Sequence, residues 1–474
     1  MRTLFGCLAA LLLAAPHAGL KAQNLQPDWE KVSREAVDHF RALLRLDTSN
    51  PPGNETIAVD YLKKVLDAEG ISSRTFALEP ARANLVVRLK STGAKRPLLL
   101  LGHTDVVTVD PTKWKFSPFG AVEDGGYIYG RGALDDKPHV ATGVMIMVLL
   151  KRLNIQLDRD VIFLAESGEE GTTRVGIDFM VSEFLPEITA EYCLAEGGGV
   201  RREGGKLKFA SVGVLEKIPR TVELTARGPS GHGSVPLRTN AVSRLALAVA
   251  AISQWQPEVK LNETTREYFK RLVDLSGPED ARRMRDILSD DPQRIAAAAE
   301  FFQDAQPSYA AMLRTSVSPT ILRGGDRYNV IPSEAKATLD VRMLPDEDPS
   351  QLLAVMRTIV NDPSVTVEFA ARDGAQRPPG GTKLNTEAFR IIEEVMTRRY
   401  GVVTLPTMST GATDKAQMRS KGVDCYGIGP AGDAEDSGKG FGGHGDQERI
   451  LRSDFVDFLR AKWEIVLALA QKTP

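Results

Sequence analysis

Two hydrophobic periodicities alternate along this chain, and their order predicts its architecture. Apolar residues recur at helical spacing from about Asp28 to Leu46 and again from Glu55 to Glu69, where Gly70 supplies a stop. Short continuous apolar runs follow: PLLLL before Gly102 and His103, DVIFLA before Glu166 to Glu170, and YCLA before Glu196. Such runs predict strands buried on both faces of an α/β sheet, and open sheets of this kind bind ligands at the carboxyl ends of their strands. A helix-patterned stretch from Val140 to Leu153 lies between two of the runs, as a crossover does.

From about Val214 the order becomes strand (RTVELTA), helix (Ala241 to Trp255), strand (SPTILR), strand (EAKATLDVRM), helix (Ser350 to Val360) and strand (SVTVEFAA). That is the β-α-β-β-α-β order of a ferredoxin-like unit. After the RPPGG linker the earlier pattern resumes, with a helix from Thr386 to Tyr400 stopped at Gly401 and a last helix opened by Ser453. The expected organisation is a leader at 1–22, an α/β catalytic domain at 23–213 and 377–474, and an inserted α+β domain at 214–376. The catalytic sheet is expected to be mixed, mainly parallel and flanked by helices. The charged, helix-prone segment 257–306 has no role that the sequence discloses.

Length agrees with this division, since 474 residues exceed what one hydrophobic core ordinarily serves. Arg2, the apolar run from Leu4 to Ala15 and the small residues leading to Ala22 read as a secretory signal, so an exported protein, periplasmic or secreted, is expected. Lys and Arg number 60 against 62 Asp and Glu, a balance that gives no electrostatic reason to expect nucleic acid or an anionic membrane as partner. Beyond the leader, Cys193 and Cys425 lack CxxC spacing, which suggests neither a disulfide framework nor a thiolate metal site.

The chemistry is carried by histidines and acids in glycine-rich segments. His103 lies in GHTDVV, His232 in GPSGHGSVP and His444 in GGHGDQE; Asp135 and Asp136 lie in GRGALDDK, Glu169 and Glu170 in ESGEEG, and Glu196 in LAEGGG. Asp105, two residues beyond His103, is placed to hydrogen-bond its ring and fix which nitrogen faces a metal. Carboxylates gathered at strand ends repel one another unless cations neutralise them, because unpaired buried charge is costly. Pairing with surface Arg and Lys would not explain why each acid follows an apolar run. Imidazole and carboxylate donors suit zinc, and five are too many for one tetrahedral ion but enough for two that share a ligand. No GxSxG elbow follows a predicted strand, which argues against a serine hydrolase.

The segments GHTDVV, GRGALDDK, GEEG, LAEGGG, GPSGHGS, NVIPSEA and STGATD, with the late His444, resemble in order the motifs of the co-catalytic zinc peptidases. That family includes aminoacylase, carboxypeptidase G, succinyl-diaminopimelate desuccinylase and carboxypeptidase S. The resemblance implies that Asp135 bridges two zinc ions, with His103 and Glu196 on one and Glu170 and His444 on the other; Co2+ and Mn2+ suit the same donors. It implies that Glu169 is the general base, that Asp105 orients His103, and that the Asp135-Asp136 peptide is cis. From the inserted lid domain, His232 would reach the substrate carbonyl, often across a homodimer formed through that domain. Asn329 would sit nearby, Arg342 would clamp the substrate carboxylate, and Gly411 would give backbone contact to the same end. His139, which follows Pro138 where the family often has Gly, is read as structural. The implied activity is hydrolysis of an amide bond next to a free carboxylate, in a small peptide or N-acyl amino acid. A dipeptidase or deacylase of the same family, or a secreted zinc- or peptide-binding protein without catalysis, are the alternatives. Retention of Glu169 beside Glu170 speaks against the last, because a binder needs no base.

Overall fold

The computed structural model describes residues 26–371 and 377–472, so the leader read at 1–22 lies outside the described residues. Its scaffold is a ten-stranded mixed sheet. At the centre, strand Lys95–His103 runs parallel to Arg159–Glu166 on one side and to Tyr192–Ala195 on the other, and Tyr192–Ala195 in turn runs parallel to Asp424–Gly427. His103 stands level with Glu166 in that register, so the ends of neighbouring strands deliver imidazole and carboxylate to one edge of the sheet. The antiparallel neighbours Ala83–Leu89 and Ser73–Ala77 close one side. The central strands are buried along most of their length, which is why they read as unbroken apolar runs.

Helices cover the sheet. Trp29–Leu44 is capped by Asp28, whose side chain accepts from the N–H groups of Glu30 and Lys31, and it buries Val32, Ala36, Val37 and Phe40. The crossover helix is Lys137–Arg152, which starts three residues before the periodicity suggests because Pro138 occupies its first turn. Arg452–Ala470 packs against it and against Trp29–Leu44. That last helix has no side-chain cap and begins at Arg452, so Ser453 lies within its first turn and does not open it. Among the described residues no helix is long and apolar enough to cross a membrane.

A separate four-stranded antiparallel sheet contains Ser316–Gly324, Glu334–Met343, Ile218–Arg227 and Val365–Phe369 in that order, with helices Ala241–Gln254 and Pro349–Val360. It has its own core, built on Val222, Leu224, Leu339, Val341 and Met356. The β-α-β-β-α-β order is present, but the passage between sheets falls at Lys217: strand Lys206–Glu216 runs through position 213 and belongs to the large sheet. The segment at 257–306 becomes part of a run of short helices, Glu263–Leu272, Pro278–Ile287, Pro292–Ala305 and Pro307–Leu313. Their apolar faces, with Phe269, Phe302 and Leu313, join the core of the large sheet and not that of the small one.

Candidate active site

Three strand ends and two loops build the site. Strand Lys95–His103 presents His103, which is 1% exposed. Its Nε2 lies 3.0 Å from Asp135 Oδ1, and its Nδ1 lies 3.0 Å from the Asp105 carbonyl oxygen and 3.4 Å from Asp105 Oδ1. Fully buried Asp105 accepts in turn from Asn50 Nδ2 at 2.9 Å and from the backbone N–H groups of Glu169 and Glu170 at 3.1 and 3.0 Å. Burial alone would raise the Asp105 carboxyl, but His103, Asn50 and the Glu170 N–H outweigh it and hold it below the usual range. One acid thereby ties the His103 strand to the loop that carries both glutamates.

The other oxygen of Asp135 lies 3.2 Å from His444 Nε2, and that same nitrogen lies 2.8 Å from Glu170 Oε1. Donor atoms of His103, Asp135 and Glu170 fall within 4.8 Å of one another, and so do those of His103, Glu169 and Glu196. The Asp135-Asp136 peptide is cis. Asp136 turns away from the cluster to accept from the His103 N–H at 3.3 Å.

The electrostatics show what this donor set requires. The half-exposed His444 is pushed up to about 10 by the hydrogen bonds it donates to Asp135 and Glu170, while burial and the surrounding negative charge hold Glu196 well above the usual carboxylate range. Burial would lower His103, yet Asp105 and Asp135 raise it well above its ordinary value. Protons on the imidazoles thus stand where positive charge is needed, and divalent cations on the same atoms would supply it without them. The residues fit a two-metal centre.

Several supporting residues carry no recognisable sequence signal. Glu448, fully buried, accepts from Leu134 N–H at 2.7 Å and Asp135 N–H at 3.2 Å through one oxygen, and from Arg131 Nη1 at 2.7 Å and Gly132 N–H at 3.0 Å through the other. It fixes the loop on which Asp135 sits. Arg377, 5% exposed, donates to Glu169 Oε1 at 2.6 Å and to Asp414 Oδ1 at 2.9 Å. Even so, burial prevails over that guanidinium and pushes the Glu169 carboxyl up to about 8. Behind it, burial and the charge of the neighbouring Asp414 hold the Glu166 carboxyl well above the usual range. Lys415 donates to the Glu196 carbonyl oxygen at 2.5 Å and pairs with Glu216 at 2.9 Å, which steadies the strand end bearing Glu196. Gly198, two residues on, passes so close to the next strand that a Cβ there would lie 2.2 Å from the Gly427 carbonyl oxygen.

The remaining residues singled out in the sequence lie apart from the cluster. His232 is exposed and its Nδ1 sits 2.6 Å from Ser234 Oγ; the Gly233 N–H donates to the Asn329 carbonyl oxygen at 2.7 Å, which keeps His232 and Asn329 together. Arg342 forks onto Asp340 of its own strand at 2.8 and 3.1 Å. Gly411 donates to Ser409 Oγ at 3.1 Å at the end of strand Val403–Ser409. Among the described residues no hydrogen bond or ion pair joins these four to the donors around Asp135. His139 is buried, donates from Nε2 to the Ile428 carbonyl oxygen at 2.9 Å, and is held well below its ordinary pKa by burial and by Lys462. Cys193 and Cys425 are buried free thiols on neighbouring strands.

Imidazoles and carboxylates converging at the strand ends of an α/β sheet are a donor set that metal-dependent hydrolases use. The profile of Peptidase family M20/M25/M40 matches residues 99–461, and the chain belongs to that family. It is 29% identical over 330 residues to a probable carboxypeptidase S-like 2 of Dictyostelium discoideum, a match covering 67% of this chain and 62% of the relative. It is 28% identical over 333 residues to the N-fatty-acyl-amino acid synthase/hydrolase PM20D1 of Homo sapiens, covering 67% of this chain and 64% of the relative. The chain thus spans somewhat under two thirds of these two relatives. A solved M20 family metallo-carboxypeptidase from Sulfolobus solfataricus shares the fold with TM-score 0.71 at 19% identity, covering 91% of this chain and 98% of that one. Human carnosine dipeptidase 1 does so with TM-score 0.65 at 14% identity, covering 93% and 99%.

Proposed function

We propose that this protein hydrolyses the amide bond of N-acyl amino acids or short peptides at the end that bears a free carboxylate, and that it does so with two divalent cations. Zinc suits the donors best, and cobalt or manganese can take the same positions. The observation that carries the reading is the position of Glu169: it shares a donor cluster with His103 and Glu196 while its backbone and its carboxylate are both tied down, by Asp105 and Arg377.

In this reading His103 and Glu196 would hold one ion, Glu170 and His444 would hold the other, and Asp135 would serve both. Ions so held would polarise the substrate carbonyl and make an attacking water easier to deprotonate. Glu169 takes that proton and returns it to the leaving amine, a task suited to a carboxylate held in place by Arg377 and the Asp105-anchored loop. Asp105 orients His103 and Glu448 orients the Asp135 loop.

The small sheet acts as a lid in the same account. His232 and Asn329 approach the carbonyl oxygen, Arg342 exchanges Asp340 for the substrate carboxylate, and Gly411 lines the same end, so turnover requires closure of the two sheets on substrate. The exposed edge strand Ser316–Gly324, with Ile321 and Leu322, supports pairing of two copies through this lid. Export rests on the apolar run from Leu4 to Ala15. The test is a panel of N-acyl amino acids and dipeptides assayed before and after chelation. Hydrolysis of either class that disappears on chelation and returns with zinc supports the proposal, and hydrolysis unaffected by complete metal removal overturns it.

A further inference from the structure

The sequence holds three cysteines, and Cys7 falls in the leader read at 1–22. The other two lie far apart in the chain yet meet in the large sheet, where strands Tyr192–Ala195 and Asp424–Gly427 run parallel with Cys193 and Cys425 as direct partners. Paired residues of adjacent strands point to the same face. Both cysteines accordingly enter one apolar cluster, with Leu99, Ile162 and Met418, while the next pair along, Leu194 and Tyr426, enters the cluster on the other face. Neighbouring strands lie about 4.8 Å apart, within the roughly 4.4–6.8 Å between Cα atoms that a disulfide spans.

Other uses of the pair fall away on the same observations. Neither thiol belongs to a metal-donor group among the described residues, and both are wholly buried. Burial and the adjoining Cys425 thiol push Cys193 well above the usual thiol range, so in the folded chain it supplies neither a nucleophile nor a thiolate ligand. What remains is reaction of the two thiols with each other. Burial also sets the moment at which that happens, because an oxidant reaches them only before the sheet and its helices close over them.

We infer that Cys193 and Cys425 form a cross-strand disulfide when the chain folds in the presence of a small-molecule disulfide, and that this bond staples the strand leading to Glu196 to its neighbour. In the structure both are free thiols, the reduced state. One cysteine thiolate attacks a sulfur of the oxidant RSSR and releases RS−; the second attacks the protein sulfur of the mixed disulfide so formed and releases the other RS−. The protein gives up two electrons and two protons, and the oxidant leaves as two thiols. The bond closes the loop from 193 to 425, and in the chain-entropy account long loops gain most from closure. Strand Tyr192–Ala195 ends directly before Glu196, so the staple keeps that strand end in register whether or not metal is bound.

The test unfolds and reduces the full chain, then refolds it in one arm with a mixture of reduced and oxidised glutathione and in the other with dithiothreitol. Each product is unfolded in the presence of iodoacetamide and mapped by mass spectrometry. In the glutathione arm the peptides bearing Cys193 and Cys425 should be joined and unalkylated, and in the dithiothreitol arm both cysteines should be alkylated. Alkylation of both in both arms, capping of each by glutathione, or joining of either to Cys7 overturns the pairing. Protein folded in the reduced state and only then given the glutathione mixture should stay unjoined over hours; joining as fast as during refolding overturns the claim that burial sets the moment. The joined protein should melt at least about 3 °C above the reduced one, a difference that Cys425→Ala abolishes, and equal midpoints overturn the staple. The mapping uses the wild-type chain alone, so it decides the pairing even where Cys425→Ala fails to fold.

Discussion

Glu448→Gln is the substitution that separates a positioning role from a mere packing role, because it keeps the volume of the side chain and changes only what its oxygens can accept. Each oxygen of Glu448 receives two donors: Leu134 and Asp135 N–H on one side, Arg131 Nη1 and Gly132 N–H on the other. An amide nitrogen accepts nothing, so whichever way the new side chain is turned, two buried donors lose their partner and face another donor. Each unsatisfied buried donor costs about 1–3 kcal/mol, and the Arg131 charge is left without its counter-charge, so the loss is on the order of 3–5 kcal/mol. The Asp135 backbone is one of the groups released, so metal affinity should fall about 10- to 100-fold as well, the usual effect of losing a group that orients a ligand. Urea unfolding of the metal-free protein reads the first quantity and competition with a chromophoric chelator reads the second. An unfolding free energy within about 0.5 kcal/mol of wild type, with unchanged metal affinity, would refute the reasoning, since that is the range expected of an uninvolved surface position.

Four further outcomes follow from the site. Glu169→Ala should abolish turnover while metal content by mass spectrometry stays at the wild-type level; loss of metal together with turnover would make Glu169 a ligand and not the base. Arg377→Lys keeps the charge but cannot fork between Glu169 and Asp414, and kcat should fall about 10- to 100-fold with KM little changed, as expected for a misplaced catalytic group. In the chelated protein His444 is raised from 6.5 to about 10 by Asp135 and Glu170, so its contribution to stability is complete below pH 6.5 and disappears as pH rises through about 10. The thermal midpoint of the metal-free protein should therefore fall across that window; the metal-loaded protein, whose imidazole carries no proton to lose, should not share the decline. Gly198→Ala would place a Cβ 2.2 Å from one backbone oxygen and 2.6 Å from another, so the folded yield of that variant should drop sharply, measured by the soluble fraction.

Much of the site could be read from the sequence because its chemistry sits where the pattern changes. His103, Glu169, Glu170 and Glu196 follow apolar runs that become central strands, and parallel strands bring their ends to one edge. The small sheet was equally legible, because each of its elements shows one clear period. What escaped is non-local. Glu448 accepts from groups more than 300 positions earlier, and nothing in GGHGDQE marks it beyond its nearness to His444. Arg377 reads as the first residue of a linker until the fold carries its guanidinium to Glu169. The helical segment at 263–313 is amphipathic, yet periodicity says only that it has an apolar face and not which core that face will join. The last helix begins without a capping side chain, so no residue marks its start and the nearest Ser, Ser453, lies inside its first turn.

Diffraction from crystals of the metal-loaded protein, collected on both sides of the zinc absorption edge, tests the central claim most directly. Two anomalous peaks, one between His103 and Glu196 and one between Glu170 and His444, each adjoining the Asp135 carboxylate, are the predicted result. Fully active crystals with no anomalous peak among these side chains would contradict it.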